Sequence, residues 1–528
     1  MKMRKTLLTS ILLLWSACVF AQAEEARYNY YDKTIVRNAD GSTDFNVRFS
    51  LTVLTHTAMN STYGQTYVTY NPNHQKIIIN EAYTVQKNGR KVAMPERALT
   101  DVLPALAAKA SDFNHLKEKI IMHTGLDLGS TIFLDYTVHS DAGFNKNLDF
   151  TDRFDATSPI VKFSYTVKVP EQSDLKLLMC SPEGNVTPRS DVVAGGQRVI
   201  KYVVENIPAR SKDAYQVRNM TKQYNFFCTL SDFETELKEV LCSGIDPEIQ
   251  KWADEYRKKE PDGKKRYDFI RSYVAEEFTS VPVPYAATYG LRPVSKIRQG
   301  AYITPIEQAY LLQQMLQACN IKADVRVSFD PSLPKEFRSL SCARAFYVAE
   351  CFGKDEKLLN PSQVSGYATP AMQVGADREI VKPDKGLDLN KEYNLEVKLS
   401  DFGSEPFFVL DLPVNRAGVA GWAMSELPTK REVDFEVPQL VEECDIYNIK
   451  VSDGIEMRKP YSSEIADPTT GVAMSVASEV SDNGATVRIV RRISIPQKVF
   501  SVSQYAKVRD IITTWLDRNT SRILFVKK

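Results

Sequence analysis

Histidine is scarce. The 528 residues contain five, His56, His74, His115, His123 and His139, and none follows position 139. Nearly three-quarters of the chain therefore has no imidazole to serve as a base, and none of the five stands at the spacing of a helical metal pair. G-x-S-x-G, a glycine-rich phosphate loop, C-x-x-C and H-E-x-x-H are all missing, so no metal and no cofactor is expected. A glycosidase-type pair of carboxylates leaves no signature in spacing, and that class stays open. An excess of one charge is missing too: 67 Lys and Arg face 66 Asp and Glu, without a basic run. Such a balance gives no support for nucleic acid or anionic lipid as a partner. Low-complexity tracts and short repeats are absent.

One long apolar run exists, at the start. Lys2, Arg4 and Lys5 precede "LLTSILLLWSACVF", and "VFA" ending at Ala21 or "AQA" ending at Ala23 offers small residues for cleavage. Residues 1–23 thus read as a signal peptide, too short and wrongly flanked for a membrane span. Cys18 in "WSAC" is an alternative lipoprotein site, with Trp15 where leucine is usual. The expectation is an exported protein, periplasmic first, with outer-membrane or extracellular placement as alternatives and no later transmembrane segment. Loss of this peptide removes three positive charges from a total of +1. It also leaves seven cysteines, an odd number. Export permits disulfides, and Cys228 with Cys242 is conceivable. Cys342 and Cys351, at opposite ends of one expected strand, would lie roughly 30 Å apart and could not bridge. Small buried hydrophobes is the reading for most of the cysteines.

What is present alternates in texture. Residues 24–230 are mostly β. "FNVRFSLTV" sets Phe45, Val47, Phe49, Leu51 and Val53 on one face. "KNGR" between "YTV" and "KVAM" suits a hairpin, and "STIFLDYTVH" and "VKFSYTVKVP" read as strands. In "YNYYD", Tyr28, Tyr30 and Tyr31 offer a sugar or protein contact, or else ordinary strand packing. Residues 231–382 shift to helical periodicity in "DPEIQKWADEYRKK" and "KKRYDFIRSYVAEEF", then to strands in "KADVRVSF", "RAFYVAECF" and "KLLNPSQ". Residues 383–528 return to β, with a hairpin around "SDNG", an amphipathic helix carrying Tyr505, Val508, Ile512 and Trp515, and the strand "RILFV". The expected fold is α+β multidomain: a β-sandwich, an α+β core, then a second β-rich sandwich domain with a C-terminal helix.

The centre of the core is "GAYITPIEQAYLLQQMLQACN". Thr304 as N-cap, Pro305 at the first helical position and Glu307 three residues after the cap form a capping box. Ile306, Ala309, Leu312, Leu316 and Cys319 mark an inward face. This layout resembles the exported transglutaminase-like proteins of Gram-negative bacteria, in which a β-sandwich of unassigned function precedes a transglutaminase-like (papain-like) core and a second β domain follows. "RPVSKIRQGAYITPIEQAYLLQQMLQACNIKADVRV" is similar to the family segment in which a cysteine opens a helix. "LSCARAFYVAECFGKDEKLLNPSQ" resembles its two strands carrying histidine and aspartate, and "YVVENIPA" and the closing hairpin, helix and strand resemble the flanking domains.

The resemblance implies a triad in which the helix N-terminus stabilises a thiolate and histidine and aspartate manage the proton. Here those positions hold Pro305, Arg344 and Asn360. Proline has no nucleophilic atom and arginine accepts no proton; loss of a nucleophile alone costs on the order of a million-fold in kcat. The implied protein is a degenerate, non-catalytic member that binds a peptide, protein or glycan in the envelope. The alternative is a cysteine-type transglutaminase, peptidase or other hydrolase with a displaced nucleophile, Cys342 or Cys319. Arg344, Glu307 and Tyr302 are the candidate ligand-binding residues of the former cleft. Arg344 is expected either to grip a carboxylate or sugar acid or to pair with Glu307.

Overall fold

A computed structural model describes residues 24–60, 62–241, 244–362, 387–415, 418–422, 424–458 and 462–528. Residues 1–23, read from the sequence as a signal peptide, Cys242 and the connection around 375–386 lie outside the described residues. The architecture is multidomain α+β: an N-terminal β domain, a central helical region and a C-terminal β-rich domain with a helix near its end.

The N-terminal domain is built on an eight-stranded sheet whose centre runs Ile160–Pro170, Ala26–Arg37, Thr43–Val53 and Thr131–Ser140. Val47, Phe49, Leu51 and Val53 are buried on one face, as their alternation requires. The opposing layer is divided. A three-stranded sheet brings Val68 and Ile121 onto Val47, Phe49 and Leu51, while a four-stranded sheet brings Met179, Phe226 and Cys228 onto Phe163, Tyr165 and Val167. Strict alternation fails in "YNYYD": a register shift between Tyr28 and Tyr30 turns Tyr28 and Tyr31 to the same side, stacked 5.1 Å apart. Tyr30 lies on the opposite face under the guanidinium of Arg48. The expected Asn-Gly hairpin forms, with Val85 opposite Lys91 and Gly89 at φ 86°.

The strand Asn225–Thr229 is buried along its whole length because both its faces are used. Phe226 and Cys228 enter the sandwich, and Phe227 enters the core of the helical region with Leu178 and Cys180. That region holds helices α1 (Phe233–Leu241), α2 (Pro247–Lys259), α3 (Gly263–Glu276), α4 (Val294–Gln299) and α5 (Pro305–Ala318). An antiparallel sheet follows, ordered Lys322–Ser328, Ala345–Cys351, Lys357–Leu359. Cys342 is not on its strand: it ends the short turn Leu340–Cys342, three residues before the strand begins.

The inward face expected for α5 understates its burial. Tyr310, Leu311, Gln314 and Met315 are buried as well, because α2, α3 and α4 pack on one side and the sheet on the other. Two of its buried amides are bonded in place: Gln308 Nε2 donates to the Val274 carbonyl at 3.0 Å and Gln314 Nε2 to the Gly244 carbonyl at 3.0 Å.

In the C-terminal domain a five-stranded sheet runs Leu387–Val397, Val441–Val451, Thr486–Ile495, Ala473–Ser481, Ser463–Ala466, the first two parallel. A three-stranded sheet of Phe407–Asp411, Arg522–Lys527 and Ile455–Met457 accompanies it. Helix α6 (Val502–Leu516) buries Tyr505, Val508, Ile511, Ile512 and Trp515 against this core.

Candidate functional site

The three positions read from the sequence as a degenerate triad lie at element ends: Pro305 opens α5, Arg344 precedes the strand Ala345–Cys351 and Asn360 follows the strand Lys357–Leu359. Helix α5 starts at Pro305, and the chain then returns along Lys322–Ser328, so the end of that strand lies back at the helix head. Ser328 pairs with Ala345, and the Arg344 amide donates to the Ser328 carbonyl at 2.8 Å. Leu359 pairs with Val348, which points Asn360 towards the same end. Pro305 is exposed at the first helical position, behind the extended N-cap Thr304. The box closes with Glu307 accepting the Thr304 amide at 3.0 Å and the Glu307 amide donating to Thr304 Oγ1 at 3.4 Å.

Arg344 does not pair with Glu307. Its guanidinium lies 3.9 Å from Asp330 Oδ2 and 3.8 Å from Glu436 Oε1 in the C-terminal domain. Lys498 joins Glu436 at 3.1 Å. Glu307 belongs to Arg292, whose Nε and Nη2 reach its two oxygens at 2.9 and 2.8 Å. The reason is geometric: Glu307 must turn back to the helix start to complete the cap, and Arg292 meets it there as a planar fork. Arg292 also donates to the Tyr302 carbonyl at 3.0 Å and to Asp112 of the N-terminal domain at 2.8 Å, and lies 4.6 Å over the Tyr302 ring. Its bond holds the Asp112 carboxyl below the usual range. The Tyr302 hydroxyl accepts the Asp112 amide at 2.6 Å. Glu307 and Tyr302 are therefore engaged in a junction between domains. Asn360 Oδ1 accepts from the amide and hydroxyl of Ser362, a local turn.

Cys342 and Cys319 are buried, and Cys351 is partly exposed. Burial pushes the Cys342 thiol up to about 12 and raises Cys319 at the far end of α5. Cys228 is raised for the same reason. The histidines stay in the N-terminal domain. His123 is driven down to about 4 by burial, His139 bonds Asp44 at 2.7 Å, and His74 stacks on Phe144. His115 sits on its own turn, Nδ1 at 3.0 Å from the Asp112 carbonyl.

A second cluster at the same junction had no signal in the sequence. Asp149, fully buried, accepts from Ser339 Oγ at 2.6 Å, the Ser341 amide at 3.0 Å and the Ser341 hydroxyl. Glu236, on α1, accepts the Leu340 amide at 2.9 Å. Burial raises both carboxyls, Glu236 to about 8. Their partners lie 190 and 104 positions away in the chain, beyond the reach of any local pattern.

Residues 39–211 match DUF3857, a domain of unknown function with solved structure, and residues 407–525 match DUF3858, described in the same way. The chain carries these two domains. No curated protein matches the sequence. Among solved structures, a "putative protease" from Parabacteroides distasonis ATCC 8503 is 28% identical, with a TM-score of 0.73 over 95% of this chain and 99% of that one. The chain thus has a protease-like fold in that sense. An M1 zinc metallopeptidase from Deinococcus radiodurans, 10% identical over 56% of this chain and 64% of its own, reaches a TM-score of only 0.21.

Proposed function

We propose that this chain is a non-catalytic member of the transglutaminase-like proteins, exported to the cell envelope, which binds a peptide, protein or glycan on a protease-like frame. The observation that carries the reading is the head of α5. The position where thiol chemistry requires cysteine is an exposed proline, and the thiols of Cys342 and, at the far end of the helix, Cys319 are raised by burial rather than lowered. A thiolate needs the opposite environment. Arg344, one-fifth exposed and shared between two distant carboxylates, retains the capacity to take a ligand anion at this end of the fold.

The likeness to a protein described as a protease favours one alternative, turnover through a displaced cysteine. Incubation of residues 24–528 with a mixed peptide pool and with iodoacetamide at pH 8 separates the two. The proposal expects saturable retention of peptides or envelope glycans, no cleavage or transamidation, and no alkylation of native Cys342 or Cys319. Cleavage that Cys342→Ala abolishes would refute it. Arg344→Ala is expected to weaken retention at least several-fold.

A further inference from the structure

The C-terminal domain contains a cavity of about 530 Å³ that neither the triad positions nor the domain junction involves. Its inner wall carries Glu443 and Arg491, each only 2% exposed, from neighbouring strands. Leu412, Val414 and Met424 supply apolar wall, and Arg518 is exposed on the lining.

Both inner groups are held in place yet incompletely satisfied. Glu443 Oε2 accepts the Val419 amide at 2.9 Å. The main chain approaches so closely that a Cβ on Gly418 would stand 2.0 Å from that oxygen and displace the carboxylate. Arg491 lies 4.1 Å over the Trp515 ring, with Nη2 donating to the Trp515 carbonyl at 3.0 Å and to Thr520 Oγ1 at 3.3 Å. Glu443 Oε1, Arg491 Nε and Asp445 Oδ1 have no hydrogen-bond partner among the described residues. Buried polar atoms are almost always paired, and leaving one unpaired costs about 1–3 kcal/mol. Glu443 lines the cavity and Asp445, on the same strand, does not; the two buried carboxylates share Arg491 as their buried counter-charge, and burial pushes Glu443 up to about 7.

We propose that this cavity binds a small zwitterion with an apolar side chain, a free α-amino acid or a dipeptide. The ammonium group satisfies Glu443 Oε1. The carboxylate takes Arg491 Nε and the exposed Arg518. The side chain lies against Leu412, Val414 and Met424. A volume of several hundred Å³ suits such a ligand.

Calorimetric titration of residues 24–528 with L-leucine and with L-leucyl-L-leucine distinguishes the free amino acid from the peptide. At least one is expected to bind saturably, at least ten-fold more tightly than its N-acetylated and its amidated form. Glu443→Gln is expected to weaken binding at least ten-fold, and Arg518→Ala, a surface change that leaves the fold intact, at least three-fold. Failure of both compounds to bind overturns the proposal. So does binding that ignores the two blocking groups, or that survives unchanged in Arg518→Ala.

Discussion

At the scale of the residue, Arg292 has the widest reach. One guanidinium closes the cap of α5, covers Tyr302 and holds Asp112 of another domain. Glu307 beneath it is almost wholly buried, so removing the arginine leaves a buried charge with only two backbone amides as partners and no counter-charge. Arg292→Ala is expected to destabilise the protein by about 3–5 kcal/mol in urea unfolding. Arg292→Lys should recover little of this, since an ammonium cannot make the forked contact. A loss below about 1 kcal/mol, the range of an exposed pair, would mean that Glu307 is satisfied elsewhere.

Elements show how a local signal and a tertiary environment combine. Helix α5 begins where its capping residues direct it, and its proline sits where a helix tolerates one. Thr304→Ala removes the hydroxyl that accepts the Glu307 amide, and about 0.5–2 kcal/mol of stability should go with it. Thr304→Ser should keep most of that, as chemical denaturation of the two variants would show. Length and burial of the same helix follow instead from what surrounds it: Leu311 and Met315 lie off the amphipathic stripe, yet both are covered. The strand Asn225–Thr229 makes the same point. "NFFCT" has no polar face to read, because it serves two cores at once.

The whole molecule is fastened by polar groups drawn from distant parts of the chain. Asp149 and Glu236 meet Ser339, Ser341 and the Leu340 amide where the N-terminal domain joins the helical region. A carboxyl whose folded pKa lies above its unfolded value keeps a proton that the unfolded chain releases. Its contribution is therefore largest on the acid side and is lost as pH rises. For Glu236 the window runs from 4.5 to about 8, and Glu443, raised to about 7, adds in the same direction. Tm of residues 24–528 is expected to decline across that window, less steeply in Glu236→Gln and least in Glu236→Gln with Glu443→Gln. An unchanged slope in the double variant would remove these carboxyls as the cause. Because Asp149 titrates with Glu236, the transition belongs to the pair.

Period, turn chemistry and capping residues determined the succession of β, helical and β regions, the hairpins at Asn88-Gly89 and around 482–484, and the start of α5, since each is set by neighbours within a few positions. The lack of cysteine at position 305 and of any histidine after 139 was equally plain. Pairing was not legible. That Glu307 meets Arg292 and not Arg344, that Tyr302 serves Asp112, and that Glu443 and Arg491 share a cavity are outcomes of three-dimensional packing. A charge chooses its partner by distance and desolvation after the chain has folded, and sequence separation carries neither quantity.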